Sequence, residues 1–247
     1  MDDQTLALIQ NYQTPRDVIE RLRDIKVIIL TGITGAGKDT IIKDILMDSD
    51  KFARVITSTT RAPRENNGIL EQHGVEYYFL SMDEARDKIK NGDYIEVANV
   101  HGRINGSLIE EYERIAAADK TALTDIDYQG ATAFLDFGMP NLQVLFIVPP
   151  SFEVWMERLT GRHGGSLEGE KDEIIARLRS AEKELEYALN DPRFVPVMND
   201  RSAESATKII RYATNDERPN QAEIKEAHQV IRDLSTAIAD HVRQLEA

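Results

Sequence analysis

Apolar and polar positions alternate along this chain in a way that predicts strands separated by helices. Val18, Ile19 and Leu22 recur at helical spacing behind Thr14-Pro15, a cap followed by a first-turn proline, and predict a short helix over Asp17 to Asp24. Val27-Ile28-Ile29-Leu30 is a continuous, largely β-branched run that ends in glycines, the pattern of a strand buried on both faces. Similar runs return at Ala122-Leu123 before Thr124-Asp125, and at Val144 to Val148 before Pro149-Pro150, each followed by a helical pattern. Such alternation predicts right-handed crossovers and a parallel sheet covered on both faces.

Two stretches break the pattern. From about Thr57 to Val100 the chain is polar and glycine-bearing, with short strand-like pieces at Tyr77-Tyr78-Phe79 and Tyr94-Ile95-Glu96-Val97, and reads as an inserted substrate-binding lobe. Gly161-Arg162-His163-Gly164-Gly165 opens a segment suited to a mobile lid. After Pro219, Ile224, Ala227, Ile231, Leu234, Ile238, Val242 or His241, and Leu245 follow one another by three and four residues. They predict a long C-terminal helix, which either packs across its own domain or pairs with a second copy in a homodimer.

Composition narrows the class. A chain of 247 residues, 41% hydrophobic, suits one α/β domain with a helical appendage. The absence of cysteine excludes a disulfide framework, a thiolate metal site and a cysteine nucleophile. The first 26 residues lack the order of a signal peptide, and no apolar run approaches the about 18 residues a membrane span needs. A soluble, cytoplasmic protein with no membrane partner is expected. Thirty lysines and arginines against 43 acids give a net charge of -13, which repels nucleic acid. A phosphate-handling site in such a chain needs a local cluster of arginines.

The candidate chemistry begins right after the first strand. Gly32-Ile33-Thr34-Gly35-Ala36-Gly37-Lys38-Asp39-Thr40 runs into the helical pattern Ile41 to Leu46. Glycines let successive N–H groups turn inward on an anion, the helix adds the positive end of its dipole, and Lys38 can bridge β- and γ-phosphates. A glycine-rich turn alone is common between strand and helix; with the lysine and both flanking elements it reads as a triphosphate site. P-loops usually place Ser or Thr after the lysine to meet Mg²⁺, and here that position is Asp39. Asp39 either holds a water of the Mg²⁺ shell or serves as a first-turn acid, and Thr40 is the remaining hydroxyl. Farther on, Thr57 to Arg64 sets Arg61 and Arg64 three apart among small hydroxylic residues, and arginine forks suit phosphate.

From about Val27 to Thr214 the chain resembles guanylate kinase. The matching pieces are the loop above, Ser58-Thr59-Thr60-Arg61-Ala62-Pro63-Arg64, Glu71 with Gly74 to Phe79, Gly92-Asp93-Tyr94-Ile95-Glu96, Asn105-Gly106-Ser107, Asp125 to Gly130, then Arg158, Arg162, Arg177 and Asn199-Asp200. The resemblance implies a P-loop NTPase-type α/β/α fold of three layers around a central parallel sheet, with a small GMP-binding lobe and a mobile lid; the extra terminal helices have no counterpart in it. Taken with the terminal helical patterns, the resemblance divides the chain into an N-terminal helical extension (1–25), a kinase domain (26–214) and a C-terminal helix (215–247). Within the domain the core covers 26–56 and 101–214, the lobe about 57–100 and the lid about 161–172. It further implies transfer of the γ-phosphoryl group of ATP, bound with Mg²⁺ at residues 32–40, onto GMP or dGMP. Thr57, Arg61, Arg64, Glu71, Tyr77, Glu96, Asn105, Ser107 and Asp127 would bind GMP, and Lys38, Arg61, Arg158, Arg162 and Arg177 would serve catalysis.

The physical case is strongest for Glu96. Guanine presents N1–H and its N2 amino group as adjacent donors, and a carboxylate accepts both at once; adenine offers no such pair. Arginines closing over the transferring group would stabilise charge growing on its oxygens and exclude water. Three departures stand out: Asn105 where the family carries a tyrosine, six residues between Arg64 and Glu71, and a longer lid around Gly164 to Lys171. Related folds phosphorylate sugar bisphosphates, and such relatives can carry Asp after the P-loop lysine, but they need no base-reading carboxylate. Others bind protein partners without catalysis, and those typically lose the loop's lysine and glycines.

Overall fold

The computed structural model describes residues 1–66, 68–100, 102–161, 171–214 and 217–246. The chain opens with α1 (Asp3–Gln10), capped by Asp2, whose carboxylate accepts the Thr5 N–H at 2.8 Å, and α2 (Asp17–Arg21). β1 (Val27–Thr31), buried at every residue, leads into α3 (Lys38–Asp48) and β2 (Phe52–Arg54). The lobe follows: β3 (Ser58–Thr59), β4 (Glu65–Asn66), β5 (Ile69–Leu70), β6 (Tyr78–Phe79), α4 (Met82–Asn91), β7 (Tyr94–Val100) and β8 (Arg103–Leu108). Next come α5 (Ile109–Ala117), β9 (Thr121–Asp125), α6 (Tyr128–Phe137), β10 (Leu142–Val148) and α7 (Phe152–Gly161). The chain closes with α8 (Lys171–Asn190), β11 (Phe194–Met198), α9 (Ala203–Thr214) and α10 (Gln221–Glu246).

The central sheet has five strands in the order β11-β10-β1-β9-β2, with β10 parallel to β11 and β2 parallel to β9. A second sheet has the order β6-β3-β8-β7, and β4 pairs with β5 as a hairpin. Strand β11 contains Pro196, which an edge strand tolerates because one side of its ladder is open. That proline, and the shortness of β2, hide both strands from a reading by apolar runs. Strand β8 is hidden for another reason: Arg103, Asn105 and Gly106 make it polar, yet it pairs with both β3 and β7. The lobe's sheet therefore runs past residue 100.

Two compact units share the chain. One holds residues 1–27, 49–124 and 129–142; the other holds 28–48, 125–128 and 143–247. In the first, Ala85, Ile89, Tyr94, Ile104 and Leu108 form a buried cluster against which Leu8, Ile9 and Tyr12 of the N-terminal segment pack. In the second, α10 buries Ala227, Ile231, Leu234, Ile238 and Val242, and lies against α7, α8 and β11. The apolar stripe that could have served a homodimer is thus covered by its own chain. Among the described residues, no helix is long and apolar enough to cross a membrane.

Candidate active site

The 32–40 loop is held by side chains far away in sequence. Trp155 of α7, 1% exposed, donates its indole N–H to the Thr34 carbonyl at 2.7 Å. Asn199, buried just beyond β11, donates its side-chain amide to the Ala36 carbonyl at 2.8 Å. Gly37 has φ of +99°, and a Cβ there would meet the Asn199 amide nitrogen at 2.5 Å, so both conformation and space demand glycine. The Lys38 ammonium donates to the Gly32 carbonyl and, at 3.4 Å, to that of Ile33. Asp39 and Thr40 lie exposed on the first turn of α3.

Asn199 also reaches one of the catalytic arginine candidates. Its carbonyl accepts Nη1 of Arg158 at 2.9 Å, and Arg158 is only 7% exposed. Burial, reinforced by the charge of Arg201, lowers the Arg158 pKa, but a guanidinium stays protonated through the physiological range. One asparagine therefore ties the phosphate loop to an arginine on α7. Arg177 sits half-buried on α8, and Glu184 follows seven residues later on the same helix face. Burial raises the Glu184 pKa; the charge of Lys38 opposes that rise and that of Asp127 adds to it. Asp127 is exposed and belongs to this unit. Arg162 and most of the segment read as a lid, 162–170, lie outside the described residues.

In the other unit, Arg61 makes a two-point ion pair with Glu71, at 2.5 and 2.9 Å. The same carboxylate accepts the Arg64 N–H at 2.8 Å, and the Glu71 N–H returns to the Arg64 carbonyl at 2.9 Å. The Glu71 side chain is 8% exposed; the hydrogen bonds from Arg61 outweigh burial and hold its carboxyl at about 2. Through these bonds it fixes the two arginines from behind. The Arg61 guanidinium lies over the Tyr77 ring, 4.7 Å from the centroid, and 5.5 Å from that of Phe79. Arg61, Arg64, Thr59 and Asn105 line a cavity of about 580 Å³, together with Arg103. Arg103 makes no ion pair among the described residues, and sequence reading gave it no role. A lone exposed arginine carries no signal until folding places it beside two others.

Glu96 projects from β7 half-buried, and Ser107 on β8, its register partner, donates to Oε1 of Glu96 at 2.8 Å. Gly106 permits this approach: a Cβ there would lie 2.5 Å from the Glu96 carbonyl oxygen and 2.7 Å from the Tyr94 ring. Thr57 sits half-buried at the entry to β3, and its carbonyl accepts the Tyr78 N–H at 2.9 Å. Buried Glu111 of α5 braces this entry, accepting the Ile56 N–H at 3.0 Å and the Tyr78 hydroxyl at 2.9 Å. Among the described residues, no group of three metal-ligating side chains occurs.

In one unit a strand, a glycine loop and a helix within a parallel sheet define a P-loop protein; the other unit carries a cluster of arginines and one half-buried carboxylate. The guanylate kinase family profile matches residues 24–217. Guanylate kinase of Porphyromonas gingivalis is 38% identical over 173 residues, covering 69% of this chain and 88% of its own length. That of Fusobacterium nucleatum is 33% identical, covering 76% of this chain and 95% of its own. The crystal structure of guanylate kinase from Anaplasma phagocytophilum matches the fold with a TM-score of 0.56 at 23% identity, over 81% of this chain and 88% of that one. The chain belongs to the guanylate kinase family and is an enzyme of that family.

Proposed function

We propose that the chain transfers the γ-phosphoryl group of ATP to GMP or dGMP, yielding ADP and GDP or dGDP. An oxygen of the acceptor's monophosphate forms a bond to the γ-phosphorus. The bond from that phosphorus to the β–γ bridging oxygen breaks, and its electron pair leaves with ADP. Little covalent chemistry falls to the protein, which acts by positioning and by matching charge.

In this reading the N–H groups of residues 32–40 and the Lys38 ammonium hold the donor phosphates. Mg²⁺ arrives with ATP as part of the substrate. The hydroxyl of Thr40 and the carboxylate of Asp39 are oxygen donors suited to a hard cation that keeps several waters. Arg61, Arg64, Tyr77 and Asn105 hold the acceptor phosphate, with Glu71 keeping the two arginines in place. Glu96, Ser107 and Thr57 read the base, and Asp127 joins the acceptor on the strength of the resemblance. Arg158 and Arg177, with Arg162 by resemblance alone, neutralise the charge that grows on the transferring group.

The pairing of Glu96 with Ser107 carries the choice of acceptor. A serine hydroxyl on one carboxylate oxygen orients the group toward a partner with two adjacent donors. A coupled ADP-release assay with ATP-Mg²⁺ against GMP, AMP, UMP, CMP and a ribose bisphosphate tests this directly. Turnover with GMP far above the rest is expected; preferential turnover of the sugar bisphosphate would replace the reading.

A further inference from the structure

Glu96 is aimed by a break in its strand. Tyr94 pairs with Leu108 and Glu96 with Ser107, so the register shifts between Tyr94 and Glu96 and leaves Ile95 without a cross-strand partner. Such a bulge re-aims the next side chain, and a slip of one residue would turn Glu96 to the opposite face. Strand β7 is also the edge of its sheet, so no further strand holds the register on its outer side.

The segment after α1 supplies that hold. The Tyr12 hydroxyl donates to the Tyr94 carbonyl at 2.5 Å and accepts the Tyr94 N–H at 2.9 Å, as a neighbouring strand would. The Thr14 hydroxyl donates to the carbonyl of the bulged Ile95 at 2.6 Å. Tyr12 stacks edge-on against Tyr94, with ring centroids 6.3 Å apart. Upstream, Arg86 of α4 anchors the segment through the Thr5 hydroxyl at 2.7 Å and the Asp2 carboxylate. Burial pushes the Tyr12 hydroxyl up to about 12, so it stays protonated and able to donate. Tyr94 passes the constraint inward, since its hydroxyl bonds that of Ser58 at 3.2 Å and Ser58 donates to the Gly106 carbonyl at 3.1 Å. All these residues lie in one unit, and residues 1–23 precede the span the family profile matches.

We infer that the N-terminal segment is a strap for the acceptor site, with Tyr12 and Thr14 as positioning residues that keep the β7 bulge in register and Glu96 aimed at the base. The inference rests on the reading of Glu96 as the base-reading group. Its test pairs two measurements on the full-length chain and on Tyr12→Phe/Thr14→Val, which keeps the packing volume and removes both hydroxyls. Amide hydrogen exchange over residues 94–97 should speed up about tenfold, the size expected for hydrogen bonds of ordinary strength. The KM for GMP should rise by about five- to tenfold while the KM for ATP stays within about twofold. Restoring Tyr12 alone should recover most of the protection. Unchanged exchange, or faster exchange with an unchanged GMP KM, overturns the strap, as does an equal rise in both KM values. If the unaltered protein fails to turn over GMP, the acceptor reading falls instead, and the exchange result alone decides whether the segment holds the bulge.

Discussion

The phosphate loop and the acceptor lobe both prepare a place for phosphate, by opposite means. The loop relies on backbone: Trp155 and Asn199 hold its carbonyls, and N–H groups of the glycine-rich turn are what an anion would meet. The lobe relies on side chains: Glu71 grips Arg61 by two bonds and the Arg64 backbone by a third. A backbone cradle is fixed by the fold and accepts few substitutions, whereas a side-chain cluster can be retuned one residue at a time. Two of the family departures, Asn105 and the hairpin of β4 and β5, fall in or beside the side-chain cluster, whereas Asp39 departs within the loop itself.

The largest way to break the comparison is at Lys38, the positively charged side chain of the loop itself. Lys38→Ala should lower kcat by about 10³-fold, a loss typical of removing a charge-stabilising group in phosphoryl transfer, as steady-state kinetics would show. Glu96→Gln should raise the KM for GMP by about 10- to 100-fold and leave that for ATP within about twofold, because a charge-assisted pair of hydrogen bonds is replaced by a mismatched one. Arg103→Ala should raise the GMP KM by about three- to tenfold, and added salt should shrink the difference, as expected of a half-screened cation beside a phosphate.

The smallest effect is one of pH. The Glu71 carboxyl is depressed from 4.5 to about 2, chiefly by hydrogen bonds from Arg61, so its contribution to stability is complete above 4.5 and is lost as pH falls toward 2. Thermal melts of Glu71→Gln and the unaltered chain should therefore differ most above pH 5 and converge between 4.5 and 2. Parallel curves across that window would mean that the lobe is organised by something other than this pair.

The two regions were also unequally legible in the sequence. Residues 32–40 are contiguous, and each carries its reason in its type, so strand, loop and helix could be read without a structure. Their supports could not: Trp155 and Asn199 lie some 120 and 160 residues away, and neither type at either position announces a contact with a loop carbonyl. In the lobe, Arg61, Arg64, Glu71 and Tyr77 were legible mainly as an ordered set, and what folding added was their geometry. Glu71 turns to the arginines. Helix α1 falls inside the helical extension expected over 1–25 but gave no bounds of its own, because what holds it is packing on α4 and β7 rather than a periodic stripe. Strand β8 was missed because Gly106 weakens a strand locally while making the Glu96 approach fit.

Strand β7, finally, bears on how the protein behaves among its own copies. An exposed edge with unpaired N–H and C=O groups is a template on which a second chain can add. At the Tyr94 end that template is occupied by hydroxyl groups, which pair with the backbone yet cannot be extended by another strand. The same two side chains that steady a carboxylate would then also deny that end of the edge to a second strand.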